Sequence, residues 1–255
     1  MENISLILSD LDGTLFRDDK SVSDFSKQII KQAQEKGILF GICTARAKIN
    51  AVKFLEGISP DVFISNGGGL ASFRNEKIYN CEFSVEETQA IIKTVFDLYG
   101  EDMVITIDNE HGLYSNSKEE LGDKFWTYSD FKSFNEPSMK ICVKTLDEEK
   151  IKQIVKAVGE DKTDFLPFSD IPWYKISKKA AVKEKAIEAL CKHLNILPSN
   201  IASFGDDFND IGMLKLCGKG IAMQNAIKEV KEIADEVTLS NENDGVANWI
   251  KDNLL

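Results

Sequence analysis

Short apolar segments alternate with helical segments in the first 65 residues of this chain, and this alternation restricts the fold more than any other feature. Apolar runs at 4–8, 38–43 and 61–65 have the length of strands, whereas 23–36 and 47–55 have the apolar spacing of helices. This order predicts a parallel sheet whose strands are joined by right-handed helical crossovers. The same order returns in the last third of the chain, so we expect an α/β fold.

Residues 82–178 follow a different order. Their strands and helices lack the polar residues that end the strands elsewhere, so we interpret 82–178 as an inserted α+β domain. The segments 1–81 and 179–255 then form one domain from both ends of the chain. Most aromatic residues of the insertion are expected to pack in its core, although some could line a pocket. These aromatic residues are Phe125, Trp126, Phe131, Phe134, Phe165, Phe168 and Trp173.

Composition argues against several kinds of partner and location. The formal net charge of -11 opposes non-specific binding to nucleic acid, which requires lysines and arginines on phosphates. An apolar run long enough to span a membrane is missing from the sequence, as is a positively charged leader. The five cysteines include no Cys-x-x-Cys pair, which is typical of a reduced protein. We therefore expect a cytoplasmic protein.

Acidic residues follow the first apolar run directly. Asp10 and Asp12 would lie on the same side of a strand and at the carboxyl edge of the sheet, where α/β folds bind ligands. Two carboxylates this close repel each other unless a cation joins them, and Mg²⁺ is the ordinary candidate. An ordinary surface turn also fits this short motif. A calcium loop is disfavoured because Leu15, Phe16 and Ser21 do not supply its pattern of oxygen ligands.

Polar residues follow three further predicted strands. Thr44 and Arg46 follow the second strand, 66–68 follow the third, and 205–210 follow the strand at 201–204. The carboxyl ends of parallel strands lie along one edge of a sheet, so we expect all four groups to converge there.

Taken together, these segments resemble the haloacid dehalogenase superfamily, and within it the Cof-type or subclass IIB sugar-phosphatase-like hydrolases. The matching segments are Asp-Leu-Asp-Gly-Thr-Leu (10–15), Thr-Ala-Arg (44–46), Asn-Gly-Gly (66–68), Lys183, Gly-Asp-Asp-Phe-Asn-Asp (205–210), Met213 and Asn-Asp-Gly-Val-Ala (243–247). The resemblance implies a Rossmann-like parallel-sheet core domain with an inserted cap domain of type C2B. Such a cap excludes water and selects the leaving group, so substrate choice would reside in 82–178.

The resemblance also implies a role for each site residue. Asp10 would be the nucleophile that forms an aspartyl-phosphate, and Asp12 the general acid and then the general base. Thr44 and Lys183 would complete the catalytic set by holding the phosphoryl group and orienting the nucleophile. The implied metal ligands are Asp10, Asp12 through its backbone carbonyl, Asp206 and Asp210, with Asp207 in an outer position. The residues implied to bind the substrate phosphate are Gly13, Thr44, Ala45, Arg46, Lys183 and Asn209.

Some positions have open interpretations. Lys183 lies in a lysine-rich stretch and could by composition belong to a solvated helix face. Glu184 stands where the family commonly has Gly, which brings a negative charge towards the phosphate site. In the insertion, four residues are candidates for a substrate contact, although a structural role is favoured for each. These are His111, Tyr114, Trp126 and Trp173.

The predicted function is Mg²⁺-dependent hydrolysis of small phosphomonoesters, with sugar phosphates as the favoured substrates. The alternatives are a phosphotransferase or phosphomutase on the same scaffold, or a phosphatase for a cofactor phosphate. A non-enzymatic phosphate sensor is disfavoured because Asp10 and Asp12 are both present. The expected partner is a small phosphate ester, neither nucleic acid nor a membrane, and the oligomeric state is left open.

Overall fold

The computed structural model describes residues 4–119, 126–168 and 171–255, which form two compact units. The first unit combines the described residues up to Asn80 with Val182–Leu255, and the second is Cys81–Ala181. Within the described residues, no helix has the length and apolar character needed to cross a membrane.

The chain begins in the first unit, passes through the second and returns to the first. The N-terminal elements are β1 (Leu6–Ser9), α1 (Asp24–Glu35), β2 (Leu39–Cys43), α2 (Lys48–Ala51), β3 (Val62–Ser65), β4 (Leu70–Phe73) and β5 (Glu76–Asn80). The elements of the second unit are α3 (Val85–Tyr99), β6 (Ile105–Asp108), β7 (Leu113–Ser115), β8 (Trp126–Tyr128), β9 (Lys140–Val143), α4 (Glu148–Val158), β10 (Thr163–Pro167) and β11 (Tyr174–Lys178). The C-terminal elements are α5 (Lys183–Leu194), β12 (Ile201–Gly205), α6 (Ile211–Leu216), β13 (Lys219–Ala222), α7 (Lys228–Ile233), β14 (Glu236–Val237) and α8 (Gly245–Leu254).

The sheet of the first unit has the order β14-β13-β12-β1-β2-β3-β4-β5. The strands from β14 to β3 pair in parallel, which confirms the predicted α/β fold. β4 and β5 pair antiparallel at one edge, and this hairpin was not predicted. After β1 the chain adds β2 and β3 on one side and later β12 on the other, so the strand order reverses at β1. Ligand sites of open α/β sheets lie at the carboxyl ends of the strands beside such a reversal.

Helices cover both faces of this sheet. Ile7 of β1 packs with residues of α1 and α8, whereas Leu6 and Leu8 pack on the other face with residues of α5. All three side chains are fully buried. A strand buried on both faces needs apolar residues at successive positions, which explains the continuous apolar run at the start of the chain.

The second unit has a six-stranded sheet with the order β10-β11-β9-β6-β7-β8. Its neighbouring strands are antiparallel except for β7 and β8. Residues of α3 and α4 pack with alternate residues of β6, β9 and β11 in one apolar core. Of the aromatic residues considered above, Phe131 and Phe134 are buried there, Phe168 is 41% exposed, and Phe125 lies outside the described residues.

We expect Ile187→Ala in α5 to lower the free energy of unfolding by about 2–5 kcal/mol, because the fully buried side chain would leave a cavity. Leu197→Ala is the control, since this side chain is 66% exposed and its loss should cost less than about 0.5 kcal/mol. Urea denaturation followed by circular dichroism measures both. An equal decrease in the free energy of unfolding in the two variants would contradict the burial of α5 against the sheet.

Candidate active site

The carboxyl ends of β1, β2 and β12 open onto one pocket of about 390 Å³. The residues that line it are Asp10, Asp12, Gly13, Thr44, Ala45, Asp206, Asp207, Asn209 and Asp210. Each of them is among the residues that the motifs predict for the site. Three of the four predicted strand ends therefore meet directly at this pocket.

Lys183 connects all three of these strand ends from below the surface. Its side chain is only 2% exposed, and Nζ donates hydrogen bonds to Asp10 Oδ1 at 2.7 Å and Asp210 Oδ1 at 2.7 Å. Nζ donates a third hydrogen bond to the carbonyl oxygen of Cys43 at 2.6 Å. An ammonium group has three donors, so all of them have acceptors. A solvated helix face, the alternative considered for Lys183, is therefore wrong.

Three carboxylates gather beside this ammonium group. Asp10, Asp206 and Asp210 each offer an oxygen, and these oxygens lie within 4.8 Å of one another. Thr14 Oγ1 donates to Asp206 Oδ1 at 2.7 Å, and Asp210 Oδ2 accepts from the backbone nitrogens of Asp206 at 2.9 Å and Asp207 at 3.2 Å. Three carboxylates exceed the charge of one lysine, so an oxygen-liganded divalent cation fits this donor set.

Burial sets the protonation of the cluster. Burial raises the pKa of Asp10 to about 8, against the opposing charge of Lys183. Burial also raises the pKa of Asp206 to about 6, although the hydrogen bond from Thr14 opposes it. Burial alone would lower the pKa of Lys183, but the carboxylates of Asp10 and Asp210 outweigh it and raise that pKa well above its usual value. Burial is the main cause of both raised carboxyl pKa values and the neighbouring carboxylates add to it, so a cation bound here would lower both values.

Asp12 has different partners. Arg46 donates two hydrogen bonds to its carboxylate, from Nε at 2.6 Å and from Nη2 at 2.7 Å, and Lys20 Nζ donates a third at 3.0 Å. Burial would raise the pKa of Asp12, but these two cations outweigh it and lower that pKa. The Arg46 guanidinium also lies over the ring of Phe54, 5.2 Å from its centroid. Arg46, which the resemblance implies as a phosphate ligand, thus contacts Asp12.

The loop after β3 supports the loop after β2. The Gly67 nitrogen donates to the Thr44 carbonyl at 3.0 Å, and the Asn66 nitrogen donates to the Arg46 carbonyl at 2.8 Å. Gly68 has a φ of +103°, and a Cβ there would overlap the carbonyl of Val182, the residue before Lys183. The predicted Asn-Gly-Gly segment therefore acts through its backbone and lets α5 begin close to the site.

The unusual Glu184 has a local explanation. A Cβ on Gly212, in the first turn of α6, would overlap the Glu184 carboxylate, so Gly212 provides the space for this side chain. A negative charge is stabilised at a helix N-terminus. Glu184 is absent from the residues that line the described pocket.

Sequence reasoning missed two residues of the site. Thr14 lies in the first motif but received no role, and its hydroxyl holds Asp206. Lys20 lies in a polar loop where a charged residue gives no signal, and only the folded chain brings it to Asp12.

The four residues of the insertion remain without an assigned role. Tyr114 donates from its hydroxyl to Glu136 at 3.2 Å and packs edge-on against Phe134, and Trp173 is buried. The contacts of Tyr114 and the burial of Trp173 are each consistent with a structural role. Trp126 lies in β8 and His111 in the turn between β6 and β7.

This geometry agrees with comparisons to known proteins. The sequence profile of the haloacid dehalogenase-like hydrolases matches residues 7–250. The chain belongs to this family. YwtE of Bacillus subtilis, a 5-amino-6-(5-phospho-D-ribitylamino)uracil phosphatase, is 29% identical, and the alignment covers 98% of this chain and 97% of the relative.

Two solved structures have the same fold as this hydrolase. SMU.1108c of Streptococcus mutans is 25% identical, with a TM-score of 0.81 and coverage of 98% of this chain and 99% of the other. The HAD subclass IIB sugar phosphatase BT4131 is 23% identical, with a TM-score of 0.78 and coverage of 97% and 98%. The predicted family, the fold and the class of enzyme, a phosphoric monoester hydrolase, are confirmed.

We expect Gly13→Ala to weaken binding of Mn²⁺, a paramagnetic substitute for Mg²⁺, by roughly tenfold or more. Gly13 has a φ of +73°, and a Cβ there would overlap the Asp206 carboxylate. Gly37→Ala is a matched control because Gly37 has a φ of +86° and open space around its Cβ position. Both variants carry similar backbone strain, about 1–2 kcal/mol. Electron paramagnetic resonance titration measures the affinities, and equal affinities in both variants would contradict the contact.

Without divalent ions, the free energy of unfolding should fall as the pH rises from about 4 to about 8, between the unfolded and folded pKa values of Asp10. The pKa values of Asp10 and Asp206 are raised on folding, so the folded state binds extra protons that it loses in this range. A divalent cation can replace these protons, so Mg²⁺ should raise Tm more at pH 8 than at pH 5. Calorimetry with Mg²⁺ and with EDTA at the two pH values measures these increases in Tm. The Asp206→Asn variant should show a smaller difference between the increase at pH 8 and the increase at pH 5.

Proposed function

We propose that this hydrolase is a Mg²⁺-dependent phosphomonoesterase that acts on small organic phosphates, with sugar phosphates favoured, through a phosphorylated Asp10. One observation carries the proposal. The buried ammonium of Lys183 joins Asp10 to Asp210, and both of these carboxylates line a pocket that Asp206 also lines. A buried carboxylate held by a lysine beside a candidate metal site is suited to nucleophilic attack on phosphorus.

Asp10, Asp206 and Asp210 would hold Mg²⁺, together with the backbone carbonyl of Asp12 that the resemblance implies. The clustered carboxylate oxygens support this choice, because three carboxylates beside one lysine leave excess negative charge and a hard divalent cation prefers oxygen ligands. When bound, the ion would neutralise charge on the phosphoryl oxygens and reduce repulsion between substrate and carboxylates.

The protein's own residues then account for two steps. In the first, Asp10 forms a bond to phosphorus, the ester bond breaks, and the leaving oxygen takes a proton from Asp12. In the second, water attacks the phosphorus of phospho-Asp10 and Asp12 takes a proton of that water. The bond between phosphorus and the Asp10 oxygen breaks, which restores the Asp10 carboxylate and releases inorganic phosphate. Lys183 orients Asp10 and offsets its charge throughout.

The two cationic side chains that contact Asp12 affect its proposed roles as general acid and general base. Arg46 and Lys20 keep its carboxylate ionised, which suits the second step, when Asp12 accepts a proton. The first step requires a protonated Asp12, so these contacts must loosen when the substrate binds. We infer that Arg46 orients Asp12, and that Gly13, Thr44, Ala45 and Asn209 contact the phosphate from around the pocket.

The substrate class rests on two further points. YwtE acts on a ribitylamino phosphate and BT4131 is a sugar phosphatase, so proteins of the same fold act on small phosphorylated polyols and sugars. The second unit, Cys81–Ala181, includes all residues of the predicted insertion at 82–178. We propose that this unit is the cap that selects the leaving group.

A panel of phosphate esters, with Mg²⁺ and with EDTA, tests the proposal. We expect phosphate release from at least one sugar phosphate, its loss in EDTA, and a loss of roughly a thousandfold or more in Asp10→Asn, because the nucleophile is removed. Asp252→Asn is the matched control, since Asp252 lies exposed on α8.

Three results would contradict the proposal. They are no release from any ester, wild-type turnover in Asp10→Asn, or full activity in EDTA. Transfer of phosphate to an added alcohol, without release to water, would favour the phosphotransferase alternative.

A further inference from the structure

The loop after β1 is held by a segment more than 200 residues later in the chain. Asn225, which follows β13, donates from Nδ2 to the carbonyl oxygen of Gly13 at 2.7 Å. The segment around Asn225 is itself attached to the β12 loop, because the Ile227 nitrogen donates to the Asp206 carbonyl at 3.0 Å. The segment from Asn225 to Ile227 therefore contacts both loops, the one that carries Asp12 through Asn225 and the one that carries Asp206 through Ile227.

The side-chain oxygen of Asn225 also forms a hydrogen bond. Its Oδ1 accepts from the backbone nitrogen of Asn241 at 3.0 Å. Asn241 is buried, and its Nδ2 donates to the Phe16 carbonyl and to Asp18 Oδ1, both at 3.1 Å. Two asparagine amides thus hold the same loop at two carbonyl groups, those of Gly13 and Phe16.

Charged residues extend these contacts. Arg17 Nη2 donates to Asp244 Oδ2 at 2.9 Å, and the Asp18 nitrogen donates to Glu242 Oε1 at 2.7 Å. Asp244 also accepts from Ser26 Oγ at 3.1 Å, which ties α1 to the same segment. The Asn-Asp-Gly-Val-Ala motif at 243–247, to which no role was given, therefore belongs to the support of the β1 loop.

The bond to Gly13 matters because of where Gly13 lies. Its backbone is in the left-handed region and its Cα sits so close to the Asp206 carboxylate that a Cβ would overlap it. The next residue, Thr14, donates its hydroxyl to Asp206 Oδ1 at 2.7 Å. A shift of the Gly13 carbonyl would therefore move groups that directly contact the Asp206 carboxylate, and so displace that carboxylate.

We propose that Asn225 is a positioning residue for the metal-binding carboxylates, acting through the Gly13 carbonyl on Asp206. This role deepens the proposed function, since it concerns the same site. Asn225 is exposed, so the hydrogen bond contributes little to the stability of the fold. A merely structural residue at this position would have no effect on metal affinity.

Asn225→Ala tests the role, and Asn253→Ala is its matched control. Asn253 is also exposed and also donates from Nδ2 to a backbone carbonyl, that of Trp249 at 2.9 Å, but on α8. We expect Asn225→Ala to raise the Kd for Mn²⁺ roughly tenfold, as loss of other residues that orient metal ligands does, and Asn253→Ala to leave it unchanged. Tm should fall by less than about 4 °C in both.

Mn²⁺ titration by electron paramagnetic resonance does not need turnover, so it separates this role from the proposed function. A tenfold weaker Kd in a protein that releases no phosphate would support Asn225 while contradicting the phosphatase. Wild-type Mn²⁺ affinity in Asn225→Ala would overturn the positioning role, even if hydrolysis is found. An equal loss of Mn²⁺ affinity in Asn225→Ala and Asn253→Ala would overturn the positioning role as well. So would the absence of Mn²⁺ binding by the wild-type protein.

Discussion

The ammonium group of Lys183 lies between two carboxylates in the interior of the protein, and the site is organised around it. It meets Asp10 at the end of β1, the Cys43 carbonyl at the end of β2, and Asp210 after β12. A buried charge is tolerated only when it is paired and hydrogen-bonded, and removal of one partner from such a group typically costs about 3–5 kcal/mol. Three strand ends and α5 must therefore be in register for this arrangement to exist.

Charge is distributed unevenly around this ammonium group. Asp10, Asp206 and Asp210 share one buried lysine, so the cluster has excess negative charge and its raised carboxyl pKa values follow from burial. Asp12, two residues from Asp10, is held by two cations and has a lowered pKa. Neighbouring carboxylates with pKa values shifted in opposite directions can take different roles in one reaction. In this site the difference arises from the partners that the fold supplies, because Asp10 and Asp12 are the same residue type.

Much of the fold could be predicted from local patterns. The apolar runs before Asp10 and Thr44 and the helical spacing between them predicted the parallel sheet, because burial on both faces requires such runs. The hairpin of β4 and β5 was missed because each strand is only four or five residues long and β5, at the edge of the sheet, consists of exposed and half-buried residues that resemble a loop. In the site, the pocket-lining residues were predicted as a set because the carboxyl ends of parallel strands share one edge.

The sequence alone determined the family, the order of the parallel strands β1, β2, β3, β12 and β13 along the chain, and the residue types at their ends, because local runs of residues carry this information. Only the tertiary structure decided which groups touch. Lys183 reaches Asp10 across 173 residues, Arg46 turns to Asp12, and Asn225 reaches Gly13 across 212 residues. Such pairings depend on how helices and loops pack on the sheet, and no local pattern of polarity encodes a hydrogen bond between distant segments.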